Sequence, residues 1–315
     1  MTGVNAPTGF AAAARRFFIR EWRARRYVYL MSLPVLAFFI IFRYIPMYGI
    51  VIAFKQFAPR MGIMGSRWVG FQHFESFFNS FYTTRIIRNT ILLSFYSLLI
   101  NFPAPIILAL VLNEVRHINY RRIVQTITYM PYFIALVVIC GIIRDFVLPN
   151  GPIGQLVQFF GGSDKNLLTL PNAYRPLYVL TDTWQFIGFN SIIYMAAMAG
   201  VDTELYEAGV IDGITTRIQR IWYITLPSIL PTIAILLILQ IGGLMNVGYE
   251  KTLLLYNDRI METSDIISTF VYRRGLLQHD YSYAAAVGLF NSVINCALLI
   301  AANKFSGRLS GSSLW

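Results

Sequence analysis

The sequence contains six apolar runs, each long enough to cross the roughly 30 Å hydrocarbon core of a bilayer as a helix of about 20 residues. Charged residues make up only 13% of the chain, against about 25% in a soluble domain, so burial in lipid best explains the composition. We therefore predict an all-α integral membrane protein with six transmembrane helices. The runs lie near 28–50, 86–111, 124–143, 176–199, 228–247 and 283–302.

Arginine residues cluster immediately before the first apolar run. The cluster comprises Arg15, Arg16, Arg20, Arg23, Arg25 and Arg26. Because basic residues that flank a membrane helix tend to stay in the cytoplasm, we predict that the amino terminus lies inside. Six spans then place the carboxyl terminus inside as well. The predicted parts are a cytoplasmic segment at 1–27, a transmembrane domain at 28–302 and a cytoplasmic tail at 303–315.

The net charge of +11 would suggest a nucleic-acid partner for a soluble protein. In a membrane protein, basic flanks anchor helices beside anionic lipid headgroups, so we predict the lipid bilayer and no nucleic acid as a partner. Cys140 and Cys296 both fall inside predicted spans, where a thiol behaves as a small apolar side chain. The histidines are scattered through loops without metal-ligand spacing, so we expect neither a disulfide nor a metal site.

Motifs for a reactive centre are missing from the sequence. It contains no Gly-x-x-x-x-Gly-Lys phosphate loop, no Gly-x-Ser-x-Gly elbow and no His-Glu-x-x-His zinc site. We therefore expect no catalytic residue, no cofactor bound by this chain and no ATP hydrolysis by it. A membrane-embedded glycan-processing enzyme that uses Asp258 and Glu262 is the less favoured alternative, because acids beside Arg259 are more simply explained as solvated charge.

A polar island interrupts the apolar pattern at 200–227. Asp202 suits the N-cap of a short helix over 203–211, and Gly213 can reverse the backbone after it because glycine has no Cβ atom. A second short amphipathic helix is predicted to begin at Ile214 and to end before the next span. Two short helices at an angle would form a protruding knob. An amphipathic loop that lies flat on the membrane surface is the alternative.

Residues of this island resemble the cytoplasmic loop by which the membrane subunits of ABC importers engage their ATPase. The matching positions are Glu207, Ala208, Asp212, Gly213, Ile224, Leu226 and Pro227. The sequence departs from the family pattern at Gly209, where the family has alanine, and in having ten residues rather than nine between Gly213 and Ile224. The resemblance implies that 200–227 is an ATPase-docking loop, that Gly209 belongs to it, and that Glu207 reaches a basic residue of the ATPase.

Longer segments resemble the carbohydrate-uptake branch of the same family. They are 46–55, 68–71, 246–251, 255–257, 272–276 and 280–284. The resemblance implies a permease of the type I ABC importer fold that crosses a bacterial inner membrane several times. It implies as partners a second homologous permease subunit, two ATPase subunits that bind ATP and Mg, and an external solute-binding protein. The implied cargo is an oligosaccharide or glycan fragment such as a pectin- or alginate-derived chain, and another small solute is the alternative.

Polar side chains inside spans are costly unless they have a partner or line a wet cavity, so polar positions that share a helical face are candidates for a solute path. We predict that they converge on one cavity, where aromatic rings would cover the apolar faces of a sugar and polar groups would bond its hydroxyls. Packing between helices is the alternative for each position. The candidates are Thr183, Trp184, Asn190 and Tyr194 in the fourth span, Asn246 and Glu250 after the fifth, and Asn291 and Asn295 in the sixth.

Overall fold

The structure is a computed structural model that describes residues 10–310 of the chain, with side chains described from 25 to 307. Two short strands, β1 (Lys55–Gln56) and β2 (Arg67–Trp68), pair antiparallel. The α-helices are α1 (Phe10–Phe39), α2 (Ile45–Met47), α3 (Gly62–Gly65), α4 (Gln72–Phe78), α5 (Thr83–Asn101), α6 (Pro103–Asn113), α7 (Ile118–Tyr129), α8 (Leu136–Phe146), α9 (Pro152–Phe159), α10 (Pro171–Ala199), α11 (Thr203–Ile211), α12 (Arg217–Arg220), α13 (Leu226–Gly242), α14 (Tyr249–Leu255), α15 (Met261–Ser264), α16 (Ile267–Tyr272) and α17 (Tyr281–Ser310). Turns of 3-10 helix cover Tyr48–Phe54, Met130–Phe133 and Leu167–Thr169, and turns of π-helix cover Ile40–Tyr44, Ile221–Thr225 and Arg273–Leu277.

The helical stretches match the apolar runs because, in lipid, every backbone N–H and C=O group must be bonded within the protein. Four stretches are long and apolar enough to cross a membrane, namely Arg25–Phe54, Thr83–Asn113, Arg217–Gly242 and Tyr281–Gly307. Two bent helix pairs raise the number to as many as six, namely Ile118–Phe133 with Leu136–Phe146, and Pro171–Ala199 with Thr203–Ile211. The prediction of an all-helical chain with several spans is confirmed.

The sequence predicted one helix for the third apolar run, but the structure breaks this run into two helices. Its two halves, α7 and α8, meet at 102°. The chain first tightens into a 3-10 turn at Pro131, and then Ile134 and Ala135 adopt extended backbone with ψ angles of 132° and 137°. Proline has no N–H group to donate to the preceding turn, which favours a break at this position.

Both ends of the described part of the chain are helical. Helix α1 begins at Phe10 and occupies most of the segment assigned to 1–27, with a kink at Arg25 (φ −122°, ψ 18°) immediately before the first span. Helix α17 runs to Ser310, well into the segment assigned to 303–315. The fifth span ends at Gly242 instead of 247, because the chain leaves the helix at Gly243. Residues 1–9 and 311–315 lie outside the described part of the chain.

Helix α10 lies at the centre of the bundle, packed against α5, α6, α7 and α13. Buried side chains form three clusters. One cluster, around Tyr174, joins α8, α10 and α14, and a second, around Phe77, joins α4, α5, α16 and α17. The third, around Tyr194, joins α6, α10 and α13. The first span differs from the others, because none of its most apolar window is buried within this chain.

Candidate docking loop and solute path

Helix α11 of the polar island has the predicted bounds. The Asp202 carboxylate accepts a hydrogen bond from the backbone N–H of Glu204 at 3.0 Å, which satisfies one of the free donors at the helix start. Gly213 follows the helix with a φ of +86°, a left-handed conformation that glycine adopts without strain. The cap and the reversal predicted from the sequence are therefore both confirmed.

The two faces of α11 have different surroundings. Gly209 is buried, and the Tyr206 hydroxyl lies 3.1 Å from the Thr225 hydroxyl at the start of the next span. The opposite face carries Glu207, Ala208 and Ile211, all exposed, and the Ile211 side chain is 87% exposed. An isoleucine this exposed beside a carboxylate is a combination that suits contact with another protein.

The second helix of the predicted knob is not a separate element. Helix α12 begins after Thr216, which forms a capping box with Gln219, and continues through the π turn Ile221–Thr225 into α13. The second arm of the loop is therefore the base of the span Arg217–Gly242, which contains α13. A π turn holds one residue more than an α turn, and the first three residues of this turn lie between Gly213 and Ile224. Leu226 and Pro227 lie in the first turn of α13, where proline is tolerated.

Gly209 allows α11 to approach the base of α13 closely. A Cβ atom at this position would lie 2.5 Å from Ile224 Cδ1 and 3.4 Å from Ile214 Cδ1. The alanine of the family pattern would therefore require Ile224 to move. Gly209 has a helical backbone, so it is not needed for its backbone freedom. Its lack of a side chain instead makes room for Ile224.

The close contact between Gly209 and Ile224 predicts strong coupling between the two positions. Gly209→Ala gains about 1 kcal/mol of helix propensity but overpacks the Ile224 contact, at a cost of about 1–3 kcal/mol. Ile224→Val removes the clashing Cδ1 atom, so the double variant is expected to be at least about 1 kcal/mol more stable than the sum of the single effects. The free energy of unfolding of each variant in the solubilised complex measures the coupling between the two positions. Gly141→Ala is the control, because no atom lies within 4 Å of the new Cβ. Additive effects of the substitutions at 209 and 224 would contradict the contact between Gly209 and Ile224.

An ion pair links the loop to the second span. The Glu114 carboxylate, which is 13% exposed, accepts a hydrogen bond from the Arg220 guanidinium, and Arg217 Nε lies 4.0 Å away. Glu114 was not singled out from the sequence, although it is the single acid between 112 and 123. This contact joins the end of α6 to α12 and therefore couples the loop to the bundle.

The predicted solute-path residues line two cavities instead of one. Asn246 and Asn291 line a cavity of about 590 Å³ together with Tyr249, Tyr272 and Tyr281. Asn246 Oδ1 accepts hydrogen bonds from Asn291 Nδ2 at 2.9 Å and Asn295 Nδ2 at 3.1 Å. Asn291 Oδ1 is buried and has no hydrogen-bond partner. The three asparagines predicted on α17 and after α13 therefore do meet.

The second cavity lies between α6, α10 and α13. Asn190 and Tyr194 line it with Asn101 and Gln240, and its volume is about 290 Å³. Thr183 donates a hydrogen bond to Asn101, which links it to this group. The structure divides these positions between two cavities because α13 ends at Gly242, so Asn246 bonds to α17 while Gln240 stays on the helix. The exposed side chains of Trp184 and Glu250 line neither of these cavities.

A buried ion pair lies beside these positions. Lys251 Nζ is 3.2 Å from Asp182 Oδ1 and 3.3 Å from the Tyr178 carbonyl oxygen, and the Lys251 side chain is 3% exposed. Asn101 Nδ2 donates to the other Asp182 oxygen at 2.8 Å. Burial lowers the pKa of Lys251, while the Asp182 carboxylate acts in the opposite direction. Asp182 is an acid inside a predicted span, which was the available sequence signal for this pair.

Residues 101–310 match the family described as the inner membrane component of binding-protein-dependent transport systems. The chain belongs to this family. It is therefore a multi-pass inner-membrane subunit of an ABC importer, and ATP is hydrolysed in a partner subunit. The predictions of a permease that is not an enzyme, and of a second permease, ATPases and a solute-binding protein as partners, are confirmed.

Known permeases are similar to this one over almost their whole length. A polygalacturonan/rhamnogalacturonan transport permease, YteP of Bacillus subtilis strain 168, is 41% identical over 97% of this chain and 95% of its own. Protein LplB of the same organism is 40% identical over 92% of this chain and 91% of its own. A subunit in a crystal structure of a bacterial ABC transporter that imports the acidic polysaccharide alginate is 41% identical, with a TM-score of 0.84 over 93% of this chain and 99% of that one. The permease thus has the type I importer fold.

Proposed function

We propose that this permease forms half of the membrane pathway of an ABC importer for acidic oligosaccharides, such as pectin- or alginate-derived chains. The observation that carries the proposal is the 41% identity, over 97% of the chain, to a permease named for polygalacturonan and rhamnogalacturonan. Likeness to the alginate importer supports the same cargo class. The larger cavity offers tyrosine rings and asparagine amides, which suit the apolar faces and hydroxyl groups of sugars.

We propose six spans, with α7 and α8 together completing the third and α10 forming the fourth. The arginines before the first span support a cytoplasmic amino terminus, and an even number of spans then returns the carboxyl terminus to the same side. In this topology 1–27, 200–227 and 303–315 face the cytoplasm. The short helices α3, α4, α9 and α14 to α16 then lie on the outer side, where a solute-binding protein delivers cargo.

We propose that the exposed face of α11 docks into the ATPase subunit. Ile211 would enter an apolar groove, and Glu207 and Asp212 would pair with basic residues of the partner. The Tyr206–Thr225 contact and the Gly209–Ile224 packing hold α11 against the π turn that leads into α13. A rigid attachment of this kind allows movement of α11 to move the span. Docking can drive the bundle only if the groove fits the loop differently in different nucleotide states of the ATPase.

Cargo contact is proposed for the residues that line the two cavities or bond to their linings. They are Thr183, Asn190, Tyr194, Asn246, Asn291 and Asn295. When the ATPase subunits close around ATP and Mg, the docking loops would move and the helices would rotate, which exposes the path to the outer side. This chain itself would bind no cofactor.

Reconstitution of the assembled importer in liposomes tests the function. We expect uptake of a uronate oligosaccharide that depends on ATP and on the loaded solute-binding protein, with little uptake of neutral oligosaccharides of equal length. A non-hydrolysable ATP analogue is the control. Uptake without ATP would instead indicate a passive channel, and uptake of a neutral or non-sugar solute alone would assign the permease to another cargo.

A further inference from the structure

A cavity with three arginines lies on the side of the molecule assigned to the outer face. It has a volume of about 320 Å³, at the lower end of the range of about 300–1,000 Å³ for ligand pockets. It is formed where the chain enters α5, around α16 and the π turn Arg273–Leu277, and at the start of α17. Its polar and aromatic lining includes Tyr82, Arg85, Arg273, Arg274, Gln278 and Tyr283.

The acids beside the cavity do not balance its arginines. Asp265 is fully buried, and its Oδ2 lies 2.7 Å from Arg273 Nη2 and 3.6 Å from Arg85 Nη2. Asp280, which is 39% exposed, lies 3.8 Å from Arg274 Nη2. Three guanidinium groups therefore face two carboxylates, and one positive charge remains.

Each of the three arginines also has one buried guanidinium nitrogen that lacks an acceptor. Arg85 Nε, Arg273 Nη1 and Arg274 Nε are buried and have no hydrogen-bond partner. The three side chains as wholes remain 21–41% exposed, and all three line the cavity. Charged donors without acceptors are costly, and carboxylate oxygens are the acceptors that guanidinium groups bind best.

Each of the three arginines lies over an aromatic ring, and Arg273 Cζ is 5.8 Å from the centre of the Phe270 ring. Arg85 Cζ lies 5.1 Å from the centre of the Tyr82 ring, and Arg274 Cζ lies 5.1 Å from the centre of the Tyr283 ring. Gln278 accepts a hydrogen bond from Arg274 Nη1 at 2.9 Å and keeps its amide donors for hydroxyl groups. Arginines held over tyrosine rings suit a sugar ring that carries both hydroxyls and a carboxylate.

We propose that this cavity binds the carboxylate of an acidic sugar residue as the cargo passes from the solute-binding protein to the permease. The proposal rests on the proposed import of acidic oligosaccharides, and it assigns the selection for charge to Arg85, Arg273 and Arg274. An aspartate or glutamate side chain of the binding protein has the same chemistry, so the test separates the two sources.

The test uses the assembled importer in lipid nanodiscs, without its binding protein, and trigalacturonate as the probe. We expect wild type to bind trigalacturonate at least about tenfold more tightly than its carboxyl-reduced counterpart, and less tightly as salt is raised. Arg274→Gln and Arg85→Gln are each expected to weaken trigalacturonate binding about tenfold, and Arg274→Lys less. Arg67→Gln, at an exposed arginine of β2, is the matched control and should leave binding unchanged. Arg273 stays intact because it is the closer partner of the buried Asp265, at 2.7 Å against 3.6 Å for Arg85.

Several results would overturn the assignment. One is trigalacturonate binding that is undetectable in wild type or unchanged in both glutamine variants. Another is equal affinity for the carboxyl-reduced sugar. A third is weaker docking of the empty binding protein in the variants with unchanged trigalacturonate binding, which would show that the arginines contact a protein carboxylate. If wild type imports uronate oligosaccharides in liposomes and yet any of these results is found, the cavity assignment alone fails; absence of such import would refute the proposed function itself.

Discussion

Gly213→Pro is expected to abolish cargo-stimulated ATP hydrolysis and uptake while the importer still assembles. Gly213 has a φ of +86°, whereas the proline ring holds φ near −65°, so the chain could not reverse after α11. Proline would also remove the hydrogen bond from the Gly213 N–H to the Val210 carbonyl at 3.2 Å. The exposed face of α11 would then point away from the ATPase. Cargo-stimulated ATPase activity in nanodiscs measures the loss, which we expect to exceed about tenfold.

Two further variants separate lost coupling from general damage. Gly213→Asn should keep most of the activity, because asparagine tolerates the left-handed conformation better than other residues with a Cβ. Gly161→Pro makes the same change at a glycine with a φ of +78°, whose N–H likewise bonds within its turn, in the loop between α9 and α10. ATPase stimulation that survives Gly213→Pro as well as it survives Gly161→Pro would show that coupling does not pass through this loop.

Asp182→Ala is expected to destabilise the bundle by about 3–5 kcal/mol, because it leaves the Lys251 ammonium buried without its carboxylate. Lys251 is 3% exposed and would keep the Tyr178 carbonyl as an acceptor. Burial already lowers the pKa of Lys251. A lysine with a lower pKa in the folded than in the unfolded state costs stability below its unfolded pKa, so the defect should shrink as pH rises from 7 toward 10. Thermal unfolding of the solubilised importer measures the change.

Two control variants change the Asp182–Lys251 ion pair as a whole or a neighbouring acid. Asp182→Leu combined with Lys251→Met should be close to wild type, because a buried ion pair can be replaced by apolar side chains of similar size. Glu250→Ala changes an exposed acid next to Lys251 and should stay within about 0.5 kcal/mol. A wild-type melting temperature for Asp182→Ala would mean that the ion pair contributes nothing to the fold.

The spans could be predicted from the sequence because lipid leaves the backbone few alternatives to helix. The break between α7 and α8 does not show in the apolar pattern, which continues through Ile134 and Ala135, so Pro131 was the available sequence signal for it. Helix α17 continues past the end of the last predicted apolar run. Beyond 302 the sequence becomes polar, but helix needs no apolar side chains once the preceding turns exist.

The docking loop was predictable in its local features and not in its tertiary ones. The Asp202 cap and the Gly213 reversal depend on single residue types, and both are present. The π turn before Leu226 consists of residues that also occur in ordinary α-helices, so no residue type in the sequence indicates it. The Glu114–Arg220 pair joins positions more than one hundred residues apart, and one sequence contains no signal for that pairing.

Photo-crosslinking from position 211 tests the central claim most directly. A photoreactive amino acid replaces Ile211, whose side chain is 87% exposed on α11, and the assembled importer is irradiated in native membranes. The same amino acid at Phe159, 83% exposed in the loop before α10, is the control. We predict an adduct with the ATPase subunit from position 211, with a yield that changes when ATP is added, and none from position 159. Adducts from position 211 with lipid or with a non-ATPase protein alone would contradict the claim that α11 transmits the force of ATP hydrolysis to the membrane helices.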